Sequence, residues 1–274
     1  MRTCKHSRGI GYADSTIFTA FTLLSACVEL AKDLNKIPDT VKNLYAVWLD
    51  KDQGLLKLPP KKKILVYNAD QIQIIVNAFR NDTYSGTEKR KFKTHSKYTN
   101  FVLFRFLTGL RPSETVCLTW NDIKWDGDQP KQIVISKRKV SQCDVDQGQK
   151  ITHLTNVQAR IIPCNKDIRE LILAIKQVKH PNNPHNLLFP APRGGYINQS
   201  EFNDKIWSKV IKGLVSDGLL PYPIPFYDER HCNATHMNRS GVDPKTASTI
   251  LGHSVNTYMN YYVGADEGDD VVPN

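Results

Sequence analysis

Ile and Val crowd into extended runs at only two places in this chain, QIVISKRKVS (residues 132–141) and KITHLTNVQARIIPC (residues 150–164). Both are rich in β-branched side chains and a polar connection separates them, so they read as the strands of one small sheet. Nearly every other apolar pattern repeats at the helical period. The fold expected is mainly α with a small antiparallel β-sheet, the sheet being inserted after the first third of the chain.

The helical segments have recognisable ends. DSTIFTAFTLLSACVELAKDLN (14–35) follows an Asp or Ser cap, and a second short helix is expected over Thr40 to Leu49. LKLPPKKKILVYN (56–68), with two prolines and four lysines, reads as an exposed linker. NADQIQIIVNAFRN (68–81) starts at Asn68 or Asp70 and sets Ile72, Ile75, Val76 and Phe79 on one face. The apolar helix Tyr98 to Leu107 ends at Gly109, a natural terminator. Helical patterns return in NKDIRELILAIKQV (165–178) and NQSEFNDKIWSKVIKGL (198–214), and a Pro-rich LPYPIPFYDE (220–229) leads into the last stretch. No internal repeat or low-complexity tract is visible.

Charge narrows the class of partner. The 274 residues carry a formal net charge of +10, with a sequence pI near 9.2 and a mean hydropathy of −0.42. The excess gathers at Lys61, Lys62 and Lys63 and in KRKFKTHSK (89–97), which opens with Lys89, Arg90 and Lys91. Such clusters are either solvated loops or a surface that neutralises nucleic-acid phosphates. Apolar stretches are too short and too polar to span a bilayer, and no signal peptide opens the chain, so no membrane partner is expected. Six cysteines scattered without CxxC pairs read as reduced thiols in a cytoplasmic protein.

Two constellations carry chemistry. In FLTGLRPSETVCLTWNDI (106–123) a helix stops at Gly109 and Pro112-Ser113-Glu114 opens the next, with Arg111 between them. An arginine beside a helix start suits an anion; a plainer role is pairing with Glu114 or Asp122. In RHCNATHMNRSGVDPKTASTILGHSVNTYMNYY (230–262), Arg230 enters a helix, Gly241 turns the chain, and a second helix runs from Asp243 to a stop at Gly252. His253 follows, with Tyr261 eight and Tyr262 nine residues beyond it. Plain packing would also account for the tyrosines. As a set, these residues suit attack on a phosphodiester. Two arginines can hold the nonbridging oxygens of a phosphodiester as it gains charge under attack. A tyrosine can attack it reversibly, and a histidine can hold the phosphate or move a proton.

Here the sequence resembles the tyrosine recombinase (phage integrase) family. TGLRPSE with LTWNDI is similar to its first arginine box, and YDERHCNATH, SGVD, LGHS and YY are similar to its second box through the nucleophile. LLFPAPRGGYINQSEFNDKIW is similar to the joining segment, and the likeness runs from about Asn68 to Val263. The resemblance implies a tyrosine-recombinase-like catalytic domain at 64–274. A short helical segment precedes it at 1–63, a truncated core-binding part with its basic linker. It implies that Arg111 and Arg230 grip the scissile phosphate, that His253 supports it, and that Tyr262 attacks to leave a 3′-phosphotyrosine and a free 5′-hydroxyl. Double-stranded DNA is the implied partner, with self-assembly into a tetramer on it. Neither cofactor nor metal is called for.

Two departures from the family pattern stand out. Tyr227 occupies the place of the usual histidine three residues before Arg230, and a phenol of pKa near 10 is a poor base at neutral pH. The lysine that protonates the leaving 5′-oxygen is not evident: its place is read as Thr155, with Lys137, Lys139 and Lys150 as substitutes. Tyr261 remains the competitor of Tyr262. On a helix their side chains diverge by about 100°, so the one not facing the phosphate is expected to pack into the core or against the C-terminal tail. The residues 241–262 also resemble the recognition half of a helix-turn-helix, which a non-catalytic DNA-binding regulator would use without the Arg111 box or the sheet. A metal site among His231, Cys232, His236 and His253 lacks ligand spacing, and His231 and Cys232 are expected to pack in the core.

Overall fold

The computed structural model describes residues 14–49, 64–85, 95–139, 151–153, 159–178 and 180–263. The chain divides into two compact units, Met1–Ile64 and Leu65–Asn274.

In the first unit, helix α1 (Asp14–Asp33) packs against α2 (Leu44–Leu49). Phe21 is the buried contact, its ring 5.6 Å from Tyr45 and 5.2 Å from Trp48. Asn43 joins the two helices: its side-chain amide donates to Ser25 O (3.1 Å) and Glu29 Oε1 (2.6 Å) while its Oδ1 accepts from Ala46 N (3.2 Å). That cap starts α2 at Leu44, four residues later than expected, because Asn43 spends its side chain on α1 and on the first turn.

The second unit holds the main core. Helix α3 (Ala69–Arg80) begins in a reciprocal cap between Asn68 and Gln71 and buries Ile75, Val76 and Phe79. A 3-10 turn at His95–Tyr98 leads into α4 (Thr99–Thr108), which Gly109 ends in the left-handed conformation at φ +61°. A Cβ at Gly109 would lie 2.6 Å from Asn233 Oδ1 and 2.8 Å from Leu251, so glycine answers both the backbone and the close approach. The helix expected after Arg111 is a single turn, α5 (Pro112–Thr115).

The sheet is more divided than the two apolar runs suggested. Strands β1 (Ile123–Asp126), β2 (Gln129–Ile135) and β5 (Arg160–Pro163) form an antiparallel sheet in the order β1-β2-β5, with Ile133 opposite Ile162. A separate antiparallel pair joins β3 (Lys137–Lys139) to β4 (Ile151–His153). Each expected strand therefore contributes to two sheets, and β1 was not expected at all. Its four residues, IKWD, alternate too briefly to declare a strand; the Gly127 turn at φ +57° folds it back onto β2.

Helices complete the core. Asn165 caps α6 (Lys166–Gln177), which buries Ile168, Leu171, Ile172 and Ile175. Helix α7 (Gln199–Phe202) runs through a π turn (Asn203–Trp207) into α8 (Ser208–Ser216). A 3-10 turn (Phe226–Asp228) precedes α9 (Glu229–Arg239), followed by α10 (Pro244–Leu251) and α11 (Val255–Tyr262). Phe79, Phe101, Phe202, Trp207 and Phe226 are buried and stack on one another between these helices.

One charged pair lies inside that apolar setting. Arg105 of α4 and Glu229 of α9 are fully buried with Nη1 and Oε2 2.5 Å apart, and the guanidinium lies 3.8 Å over the Phe226 ring. Burial raises the carboxyl pKa and lowers that of the guanidinium, each partly restored by the other's charge. The pair fixes α9 against α4 next to Arg230. Glu229→Gln, which strands a buried cation, is expected to cost about 3–5 kcal/mol in urea unfolding, whereas replacing both residues by Met should recover most of it. A Glu229→Gln variant as stable as the parent would show that the pair does not hold the two helices.

Candidate active site

The site forms where the ends of α4 and α10 meet the start of α9. The last carbonyls of a helix lack intrahelical donors and carry the negative end of its dipole. At α10 three arginines answer them. Arg160 Nε donates to Ile250 O (2.6 Å), Arg230 Nη2 to Leu251 O (2.7 Å) and Arg111 Nη2 to Gly252 O (3.1 Å). Arg230 Nη1 also reaches Gly109 O (2.9 Å), and the Asn233 amide donates to Phe106 O and Leu107 O, so α9 holds the end of α4 as well. A guanidinium has five N–H donors; these bonds use two of them on Arg230 and leave others for a ligand.

Three neighbouring cations need an anion, and Glu114 supplies it. Its buried carboxylate accepts from Arg111 N (2.9 Å), Arg111 Nη1 (3.1 Å) and, in a fork, from Arg160 Nη1 (3.1 Å) and Nη2 (2.8 Å). Burial works against the charged form, but the hydrogen bonds and charge of Arg160, with those of Arg111, outweigh it and hold the carboxyl below its usual value. Arg230 is 2% exposed, and burial followed by the charge of Arg111 pushes its pKa down to about 10, so it stays a cation at neutral pH.

His253 follows Gly252, whose φ of +72° ends α10; a Cβ there would lie 2.7 Å from Arg160 Nη1. The His253 Nδ1 lies 3.2 Å from Ser254 O, while its Nε2 is buried without a hydrogen-bond partner among the described residues. Ser254 caps α11 by accepting from Thr257 N, and two turns later that helix presents Tyr262. Tyr262 is 5% exposed, its ring near-parallel to His253 (6.2 Å, 18°) and its hydroxyl 2.7 Å from His231 Nδ1. Burial pushes the Tyr262 phenol up to about 12, with Arg230 pulling the other way.

The residues singled out in the sequence fall into four groups. Arg111, Arg230, His253 and Tyr262 come together, although Arg111 lies on a segment far from the other three in sequence. Tyr227 stands at the rim, 44% exposed, its ring edge-on to His231 at 5.9 Å. Lys61, Lys62, Lys63, Lys89, Arg90, Lys91, Lys150 and Thr155 lie outside the described residues. Both remaining lysines are on β3, which packs against α5: Lys137 pairs with Asp122 (3.3 Å), and Lys139 is half-buried with its Nζ donating to Ile197 O (3.4 Å). Burial lowers the Lys139 pKa, against a smaller opposing effect of Cys117.

Arg111, His231 and Tyr261 each have surroundings that bear on the sequence reading. Arg111 does pair with Glu114, so its structural role and its place in the site are the same arrangement rather than alternatives. His231 is no mere packing residue, since its imidazole bonds the Tyr262 hydroxyl. Tyr261 does not pack into the core, being 49% exposed, and the C-terminal tail that was its other expected support lies outside the described residues. As for a metal, Cys232 is buried with its Sγ accepting from Tyr67 N, and His236 is exposed. Glu114 and Arg160 were passed over as site residues. Arg160 could have been found from the alternation in RIIP, which puts it on the buried face with Ile162.

The sequence profile of the phage integrase family matches residues 66–268, well over half of the chain. The chain belongs to the phage integrase family. Among curated proteins it is similar to a tyrosine recombinase XerC-like protein of Caldanaerobacter subterraneus subsp. tengcongensis, at 27% identity over 243 residues. That alignment covers 81% of this chain and 59% of the relative, so the chain spans only about three fifths of its length. Among solved structures, the Tn1549 transposon integrase in complex with circular intermediate DNA superposes with a TM-score of 0.71 at 20% identity, covering 92% of this chain and 76% of that one. A lambda integrase dimer bound to a COC′ core site gives 0.54 at 13% identity, covering 95% and 77%. This family's fold, helices around a small antiparallel sheet, is the one described above. No helix among the described residues is long and apolar enough to cross a membrane.

The depressed pKa of Glu114 has a sign that can be tested. Its folded value lies below its unfolded one, so it adds stability above the ordinary carboxylate value of 4.5, lost as pH falls through the folded value. Urea unfolding between about pH 6 and about pH 3 should show that loss in the parent and a shallower fall in Glu114→Gln. An unchanged acid dependence would remove Glu114 from this role.

Proposed function

We propose that this chain is a site-specific recombinase that breaks and rejoins double-stranded DNA through a 3′-phosphotyrosine on Tyr262. What carries the reading is the gathering of Arg111, Arg230 and His253 around the end of α10, with Tyr262 presented one short helix later. The arginines hold the nonbridging oxygens of the scissile phosphate, and the unpartnered Nε2 of His253 donates to the same group. Tyr227, at the rim, adds a hydrogen-bond donor to a phosphate oxygen. Tyr262 Oη attacks the phosphorus and the 5′-oxygen leaves with a proton from an ammonium group, for which β3 offers Lys137 and Lys139. The phosphotyrosine keeps the energy of the broken bond, so a second 5′-hydroxyl reverses the step without ATP or metal.

The partner in this reading is duplex DNA, on which four copies assemble, in the cytoplasm where that DNA is found. DNA-bound neighbours such as the Tn1549 and lambda integrases support the DNA partner. A short core-binding segment at 1–63 and a catalytic domain at 64–274 are the proposed division, with Lys61–Lys63 and Lys89–Lys91 on DNA phosphates.

Incubation with a nicked suicide DNA carrying the recombination site tests the assignment. The parent and Tyr261→Phe are expected to form a covalent adduct, and Tyr262→Phe to bind DNA without forming one. An adduct mapped to Tyr261 would reverse the choice of nucleophile, and binding without any adduct by the parent would make the chain a binding-only relative. Replacing Lys89, Arg90 and Lys91 by Ala should weaken binding to all sequences alike and lower the salt slope by up to about three units. An unchanged slope would put those residues on a solvated face.

A further inference from the structure

We propose that His231 is the general base of the cleavage step, taking the phenolic proton of Tyr262 as its oxygen attacks the phosphorus. The inference rests on the recombinase reading and adds a catalytic residue to it.

Geometry singles out His231. Its Nδ1 is 2.7 Å from Tyr262 Oη, within reach of the proton that must leave. It directly follows Arg230, so α9 holds the base and the phosphate clamp on one rigid turn. The other candidates are less well placed. Tyr227, one turn earlier, meets His231 edge-on and is exposed, and a phenol is a weak base near neutral pH. His253 has Nδ1 against Ser254 O and stacks near-parallel on the Tyr262 ring, an arrangement that suits its Nε2 to the phosphate.

The electrostatics agree with that assignment. The ionisable groups facing the His231 ring are Tyr227 and Arg230 at the start of α9, His253 from the turn after α10, and Tyr262 from α11. Burial, then the charges of Arg230 and His253, lower the His231 pKa from its ordinary 6.5. At neutral pH the ring is therefore neutral, and with its hydrogen on Nε2 the Nδ1 lone pair can accept. Tyr262, pushed up to about 12, does not ionise unaided at that pH.

The step balances without a co-reactant. The Oη–P bond forms as the phenol proton passes to His231 Nδ1. The P–O5′ bond breaks with its electron pair on the 5′-oxygen, which takes a proton from a lysine ammonium. In the return step the attacking 5′-hydroxyl gives its proton to the lysine, and His231 returns a proton to the departing Tyr262 oxygen.

The test is the single-turnover rate of adduct formation on the nicked DNA as a function of pH, under saturating protein. The parent is expected to show a rate that levels off above an inflection lower than 6.5. His231→Ala should be slower by about two to four powers of ten near pH 7. Its rate should climb about tenfold per pH unit, as hydroxide replaces the base, with DNA binding unchanged. His231→Asn keeps an acceptor near the Nδ1 position to hold Tyr262 but cannot take its proton, and it should show the same steep profile. A 5′-bridging sulfur leaves without a proton, so on that substrate the defect of both variants should persist. The proposal is overturned if His231→Asn keeps the parent's rate and profile, if both variants lose rate equally at every pH, or if the sulfur substrate restores them. If the parent itself forms no adduct, the recombinase reading fails, a different outcome from any of these.

Discussion

The end of α10 is the point on which this site depends. Three successive carbonyls, those of Ile250, Leu251 and Gly252, each take a bond from a different arginine, and the arginines come from β5, α9 and the turn before α5. A helix C-terminus attracts cations, which makes it a place where guanidinium groups can be gathered at close range. The same bonds fix the peptide that carries His253 and the start of α11. The arginines, the histidine and the tyrosine are thus aligned by one backbone feature, and a shift of α10 would move all of them together.

Gathering like charges in a buried place needs compensation, and the sequence supplies it locally. Glu114 binds Arg111 and Arg160 at once, converting mutual repulsion into a hydrogen-bonded lattice. Behind it, Arg105 and Glu229 form a second pair with no solvent contact, tying α4 to α9. Buried ion pairs add little net stability but penalise any arrangement that separates them. Here that penalty falls on misplacing the helix that carries Arg230 and His231. The arginine cluster is held in place by charge pairs set beside it.

The Tyr262 phenol sits in an environment that favours its protonated form. Burial raises its pKa, and its hydroxyl lies 2.7 Å from His231 Nδ1. The departure at Tyr227, which looked like a loss when read along the chain, is accompanied by a histidine only four positions later that reaches the tyrosine from the next turn of the same stretch.

Local signals were legible in the sequence because they depend on neighbours along the chain. The Asn68 cap, the stops at Gly109 and Gly252, the Asp243 start and the order of Arg111, Arg230, His253 and Tyr262 are of this kind. Strand β1 was not legible, since four alternating residues carry too little pattern without the partner that pairs with them. Nor was the splitting of each apolar run between two sheets. The choice between Tyr261 and Tyr262 as the buried ring, the sharing of Glu114 by two arginines, and the bond from Tyr262 to His231 all join segments far apart in sequence. Periodicity and capping fix which face of a helix is apolar; which side chain across the core meets that face is decided only when the helices pack.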